Sequence, residues 1–111
     1  MKLTKLAEAA TDWSRIPATT VPGASGVAKA RAHQAGELRL RLVEYGPGYL
    51  ADHWCSKGHI IHVLSGALTI EHQDGSRAYV LSAGMSWYAA DEEGPAHRAR
   101  SETGATVFIV D

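Results

Sequence analysis

The chain has 111 residues, of which 45% are hydrophobic and 21% charged, and its formal net charge at pH 7 is −1. This length fits one domain that is just large enough for a hydrophobic core. A near-neutral charge gives no electrostatic reason to expect nucleic acid or an anionic membrane surface as a partner. No apolar run approaches the roughly 18 residues of a membrane-spanning helix.

The N-terminal residues begin like a signal peptide but lack its apolar core, because Glu8 interrupts the only candidate stretch. The chain contains a single cysteine, Cys55, which cannot form an internal disulfide. This cysteine usage is typical of a reducing compartment. We therefore expect a cytoplasmic protein.

The first 25 residues differ from the rest of the chain. Residues 3–10 have a weak amphipathic pattern that fits one short helix. Pro17, Pro22 and Gly23 then favour extended or turning backbone. We predict that residues 1–25 form an N-terminal arm, packed on the domain or on a second subunit, and that residues 26–111 form one β-barrel domain.

From about Gly36 onward the pattern is typical of an all-β fold. Residues 38–42 alternate leucine with arginine, which indicates a strand with two unlike faces. Asp74-Gly75 is a strong hairpin signal. Further strands are predicted over residues 60–64, 67–72, 77–81, 85–89 and 105–110. Seven or eight short strands at this spacing predict a sandwich or barrel.

The run from Asp52 to His59 carries the candidate metal ligands His53, Cys55 and His59. Residues two apart in a strand share a face, so His53 and Cys55 should point the same way. His59 has the same parity, although a turn before it can reset the register. His97 begins a late strand that can lie beside the first in an antiparallel barrel. We predict that these four side chains meet at one metal site.

These residues resemble the motifs of the cupin superfamily. The first motif has two histidines one residue apart, then a glutamate and a glycine, and the second has a glycine and a histidine. The matching positions are His53, Cys55, His59, Gly66, Gly84 and His97. The closer resemblance, over about residues 36–111, is to the small single-domain cupins named for an Asp-His-Cys-Trp motif. It implies an RmlC-like double-stranded β-helix, or jelly-roll barrel, and a homodimer.

The donor set departs from the usual cupin pattern of three histidines and one glutamate. A soft sulfur in place of a hard oxygen favours zinc over manganese or magnesium. If Cys55 does not bind, the histidines alone resemble the facial sets of cupins that use iron, or of zinc and nickel sites that act as Lewis acids. The expected cofactor is a divalent transition metal, with zinc the first choice and iron or nickel as alternatives.

Other side chains are candidates for substrate chemistry. Trp87 and Tyr88 face opposite sides of one predicted strand, so one of them can line the cavity, and Tyr88 is the candidate acid–base group. Arg39 and Arg41 share a face that is either solvated or clamps a carboxylate. Asp52 either orients His53 or caps a turn.

The sequence leaves two main functions open. One is a metal-dependent enzyme that acts on a small metabolite inside the barrel by isomerase, lyase or dioxygenase chemistry. The other is a non-catalytic module that binds a small ligand, or a metal in a closed site of histidines and cysteine. A metal-free cupin with repurposed residues is a third possibility.

Overall fold

The computed structural model describes residues 3–111, so the first two residues of the predicted arm lie outside it. Within this range the chain is almost entirely β-structure, as predicted. A 3-10 turn spans Trp13–Arg15, and the strands are β1 (Thr19–Pro22), β2 (Val27–Ala35), β3 (Leu38–Tyr45), β4 (Tyr49–Leu50), β5 (His59–His72), β6 (Ala78–Ser82), β7 (Ser86–Ala89), β8 (His97–Ser101) and β9 (Ala105–Val110).

The strands form one curled antiparallel sheet with the order β1-β2-β3-β9-β5-β8-β4. The long strand β5 is shared by both halves of the sheet. Its first half pairs with β7 and β9, whereas its second half pairs with β6 and β8. The two halves face each other around a common interior, which is the jelly-roll architecture predicted from the sequence.

Strand β5 joins two strands that the sequence predicts separately, and its register shifts between Val63 and Ser65. Before this irregularity the odd-numbered residues Ile61 and Val63 are buried, and after it the even-numbered residues Leu68 and Ile70 are buried. The shift therefore lets one strand supply core residues to both halves of the sheet.

Strand β3 turns its arginine face towards the interior of the barrel, although its leucine face is the more apolar one. Its odd-numbered side chains, including Arg39 and Arg41, line an internal cavity. Its leucines lie on the outer face, where Leu42 pairs with Phe108 and Trp13 packs edge-on against Phe108 at 6.2 Å. Both arginines therefore reach the cavity, where Arg41 is 21% exposed, although Arg39 keeps 51% of its side chain exposed.

The N-terminal arm packs along the outer face of its own domain. The predicted helix over residues 3–10 is absent, and these residues are irregular and mostly exposed. Strand β1 extends the sheet by pairing with β2, and Arg31 Nε donates to the carbonyl of Ile16 at 3.0 Å. The domain boundary at residue 25 stays a prediction. In residues 3–111 no helix is long and apolar enough to span a membrane.

Gly66 follows the register shift of β5 and has a φ of +76°. A Cβ atom at Gly66 would overlap the backbone carbonyl oxygen of Gly104, whereas a Cβ at Gly75, with a φ of +70°, would meet no atom within 4 Å. Gly75→Ala should therefore cost only about 1 kcal/mol of backbone strain. Gly66→Ala should lower the free energy of unfolding by about 3 kcal/mol, because backbone must also move. Urea denaturation measures the free energy of unfolding of both variants. Equal losses of stability would contradict the backbone overlap assigned to Gly66.

Candidate metal centre

A cavity of about 330 Å³ lies between the two halves of the sheet. Most of the predicted site residues reach it, together with a group of apolar side chains. Its lining consists of Arg39, Arg41, Tyr45, Ala51, His53, Cys55, His59, Ile61, Ile70, His97, Ala99 and Ile109. Polar and ionisable groups therefore converge on a pocket with apolar walls, the usual character of a small-molecule site.

Three of the four predicted ligands come together in this cavity. One donor atom each from Cys55, His59 and His97 lies within 4.8 Å of the other two. The Sγ of Cys55 is 3.6 Å from Nε2 of His59. A thiolate and an imidazole bound tetrahedrally to one zinc ion, with bonds of about 2.3 and 2.0 Å, would be about 3.5 Å apart. The spacing of this pair therefore suits a single ion.

The backbone places Cys55 opposite His97. The two residues form an isolated antiparallel bridge, in which Cys55 N donates to His97 O at 2.7 Å and His97 N donates to Cys55 O at 2.9 Å. The backbone N–H of Lys57 also points at the Cys55 sulfur, 3.4 Å away. Cysteine binds metal as its thiolate. On the outer face, Trp54 lies under the guanidinium of Arg98, 4.2 Å from the ring centroid.

His97 is buried, and its Nε2 atom has no hydrogen-bond partner in the described part of the chain. Burial lowers the pKa of His97 to about 4, and the neighbouring His59 and His72 act in the same direction. The ring is therefore neutral at pH 7. A buried ring nitrogen without a partner is costly, and a bound metal would satisfy it.

His59 is oriented by the carboxylate of Asp111, which was not among the predicted site residues. Its Nδ1 atom is 2.7 Å from Oδ2 of Asp111. The pKa of Asp111 is lowered to about 2, although burial alone would raise it, because Arg39, Arg41 and His59 all favour its ionised form. The ionised carboxylate only accepts hydrogen bonds, so Nδ1 of His59 carries the proton and Nε2 keeps its lone pair towards Cys55. Burial also lowers the pKa of His59.

Asp111 is held by two arginines of β3. Arg39 donates to it from Nε at 2.9 Å and from Nη2 at 3.2 Å, and Arg41 donates from Nη2 at 2.7 Å. The sequence carried a signal for this residue. The odd-numbered residues of β9 face the core, and Asp111 continues their alternation by one step.

His53 is not part of the converging group. Its side chain lies at the cavity lining but is 76% exposed, and Nδ1 donates to Asp52 at 2.7 Å. His53 and Cys55 were expected to point the same way, but residues 51–58 form no regular strand, so alternation does not apply there. The orienting role expected for Asp52 matches this contact. Metal binding by His53 stays a prediction.

Tyr88, the predicted acid–base residue, lies on the outer face of β7 and is 77% exposed. Its neighbour Trp87 is the one that faces inward, and the Trp87 ring packs edge-on against His97 at 4.8 Å. Tyr88 therefore does not line this cavity, and its catalytic role stays a prediction. The tyrosine that lines the cavity is Tyr45, and burial raises the pKa of its phenol to about 12.

No protein-family model matches the chain, and no curated protein was found to match it. Solved structures do match. An RmlC-like cupin from Shewanella frigidimarina is 19% identical with a TM-score of 0.71, over 96% of this chain and 92% of that one. This chain has the cupin fold. The narrower resemblance to the Asp-His-Cys-Trp group of cupins stays a prediction.

Two further cupin-fold structures carry descriptions of an activity. A polyketide cyclase from Streptomyces resistomycificus is 18% identical with a TM-score of 0.73, over 94% of this chain and 78% of that one. A predicted oxalate decarboxylase from Thermotoga maritima is 14% identical with a TM-score of 0.74, over 92% of this chain and 96% of that one. At these identities the likeness establishes the fold alone.

The depressed pKa of His97 predicts that the metal-free protein loses stability on mild acidification. Its pKa in the folded state, about 4, lies below the unfolded value of 6.5, so its contribution is present above pH 6.5 and is lost as pH falls towards 4. Between pH 7 and pH 5 the loss should be about 2 kcal/mol. Urea denaturation in the presence of a chelator measures it. In a His97→Gln variant the free energy of unfolding should depend much less on pH. An unchanged pH dependence would contradict the depressed pKa of His97.

Proposed function

We propose that this cupin is a metal-dependent enzyme that acts on a small metabolite inside the barrel. The observation that carries the proposal is the convergence of three protein donors, and only three, among the described residues that line the cavity. Catalytic zinc sites have three protein ligands and leave a position for water or substrate, whereas structural sites use four. Zinc suits the one sulfur and two imidazoles of Cys55, His59 and His97 better than a hard cation does.

The chain supplies the remaining groups of such a site. When bound, zinc acts as a Lewis acid towards a substrate oxygen. The second nitrogen of His53 is free to exchange a proton with substrate while Asp52 holds the ring. The Tyr45 phenol stays protonated at neutral pH and can donate a hydrogen bond.

This set of residues favours lyase or isomerase chemistry. Zinc has no redox chemistry, so dioxygenation would require iron in the same site. Two of the similar structures are described as a polyketide cyclase and a predicted oxalate decarboxylase, so the fold itself accommodates enzymes of different kinds.

The alternative is a non-catalytic module with a closed site. It requires His53 to leave Asp52 and turn inward as a fourth ligand. The exposure of His53 and its 2.7 Å hydrogen bond to Asp52 favour the open site. The distinction between enzyme and binding module therefore rests on the position of this one side chain.

Metal analysis of single variants separates the two. Protein purified without added metal and then dialysed should hold about one zinc ion. Cys55→Ser and His97→Ala should each lose at least nine tenths of it, because each removes one of only three ligands. His53→Ala should keep its zinc, like the control His62→Ala, whose ring faces outward and is hydrogen-bonded to Ser86. If His53→Ala loses as much zinc as His97→Ala, the closed module is the correct interpretation.

We also propose that the protein is a homodimer. Cross-strand neighbours Ile60 and Tyr88 are 42% and 77% exposed on the outer face, and both line a groove of about 540 Å³. Contiguous exposed apolar surface that lines a groove is one mark of an interaction site. A small-molecule ligand and a cytoplasmic location complete the proposal.

Light scattering during size-exclusion chromatography tests the dimer. The wild type should elute with about twice the 11.9 kDa mass of the chain. Tyr88→Lys should shift it towards the monomer, because it places a charge in the interface. Val80→Lys, at an exposed apolar position that does not line this groove, is the matched control. A monomeric wild type at high concentration would exclude the proposal.

A further inference from the structure

The cavity carries an excess of positive charge. Arg39 and Arg41 line it, and none of the described residues that line it is acidic. Asp111 neutralises one of these two guanidinium groups, so one positive charge remains before any metal is counted. Cys55 can offset it only as a thiolate, and that charge would be shared with a divalent metal ion.

Arg41 is not saturated by its contacts. Its Nη2 atom donates to Asp111 at 2.7 Å, but its Nε atom is buried and has no partner in residues 3–111. A buried N–H without an acceptor costs about 1–3 kcal/mol, and more when it belongs to a charged group. An acceptor bound in the cavity would remove this cost.

The rest of the lining limits the size and character of that acceptor. The volume of about 330 Å³ is at the small end of ligand sites. Ile61, Ile70 and Ile109 form apolar walls. Tyr45 lies on the same face of β3 as the arginines and adds a neutral donor rather than a negative charge.

We infer that the cavity selects small carboxylate anions, with the carboxylate held by Arg41 and Arg39 and a second oxygen of the same molecule directed towards the metal ligands. Guanidinium groups bind carboxylates through paired, charge-assisted hydrogen bonds. The inference rests on the proposed function, because the metal position provides the second contact.

Cobalt-substituted protein tests the inference with a matched pair of probes. Cobalt(II) reports its ligands in the visible spectrum, and a thiolate adds a charge-transfer band. Glycolate and glycolamide have nearly the same shape but differ in charge. Glycolate should bind at least tenfold more tightly than glycolamide. Arg41→Gln should lower the affinity for glycolate at least tenfold, whereas the affinity for glycolamide should change little.

Three variants complete the experiment. Arg39→Gln should also lower the affinity for glycolate. It replaces Arg41→Gln as the test if that variant does not fold, because the Arg39 side chain is 51% exposed and its substitution disturbs the core less. Arg41→Lys keeps the charge but loses the planar donor pair, so its effect should be intermediate. Arg100→Gln is the control, since Arg100 is ion-paired with Glu71 and does not line the cavity.

The outcomes separate this inference from the proposed function. If the wild type lacks the thiolate band, the metal site itself is wrong and the inference fails with it. If the band is present but Arg39→Gln and Arg41→Gln bind glycolate as tightly as the wild type, only the anion selectivity is overturned. Equal binding of glycolate and glycolamide by the wild type would overturn it in the same way.

Discussion

The carboxylate of Asp111 is the contact on which the candidate site depends most. It lies where three strands meet, at the end of β9, opposite Arg39 on β3 and beside His59 on β5. It accepts hydrogen bonds from both arginines and from the His59 ring, and its depressed pKa keeps it ionised. Removing one partner of such a buried charge network usually costs several kcal/mol, because the other charges lose their compensation. The same carboxylate fixes the tautomer of His59 and turns its Nε2 atom towards Cys55.

The register of β5 makes this arrangement possible. His59 begins the first half of the strand and faces inward with odd parity. His97 belongs to β8, which pairs with the second half, where even-numbered residues face inward. The register shift between Val63 and Ser65 allows odd-numbered residues before it and even-numbered residues after it to face the same interior. Without it, one half of β5 would turn its apolar residues outward.

Much of the architecture was readable from the sequence, because alternation and turn residues are local signals. The strands and the Asp-Gly hairpin follow from them. Alternation shows that β3 has two faces but not which one is inside, so the sequence left open whether the arginines face solvent, where charge usually lies, or the cavity. The inward arginines are stable because Asp111, from the far end of the chain, supplies the countercharge. A contact between residues 72 positions apart leaves no local pattern.

Some of the candidate ligands lie where the sequence predicts, and one does not. Cys55, His59 and His97 converge as predicted, since backbone pairing holds them. The orientation of His53 was not predictable, because it lies in an irregular loop where a hydrogen bond to its neighbour Asp52 decides the rotamer. Alternation shows that Trp87 and Tyr88 face opposite sides of β7, but only the closure of the sheet shows that Trp87 is the one that faces inward.

X-ray absorption spectroscopy of the zinc-loaded protein measures the ligands of the metal directly. The open site predicts one sulfur at about 2.3 Å, two imidazole nitrogens near 2.0 Å and one further oxygen from solvent or substrate. A spectrum with one sulfur and three imidazoles would place His53 on the metal and close the site. A spectrum with no sulfur would remove Cys55 and contradict the account.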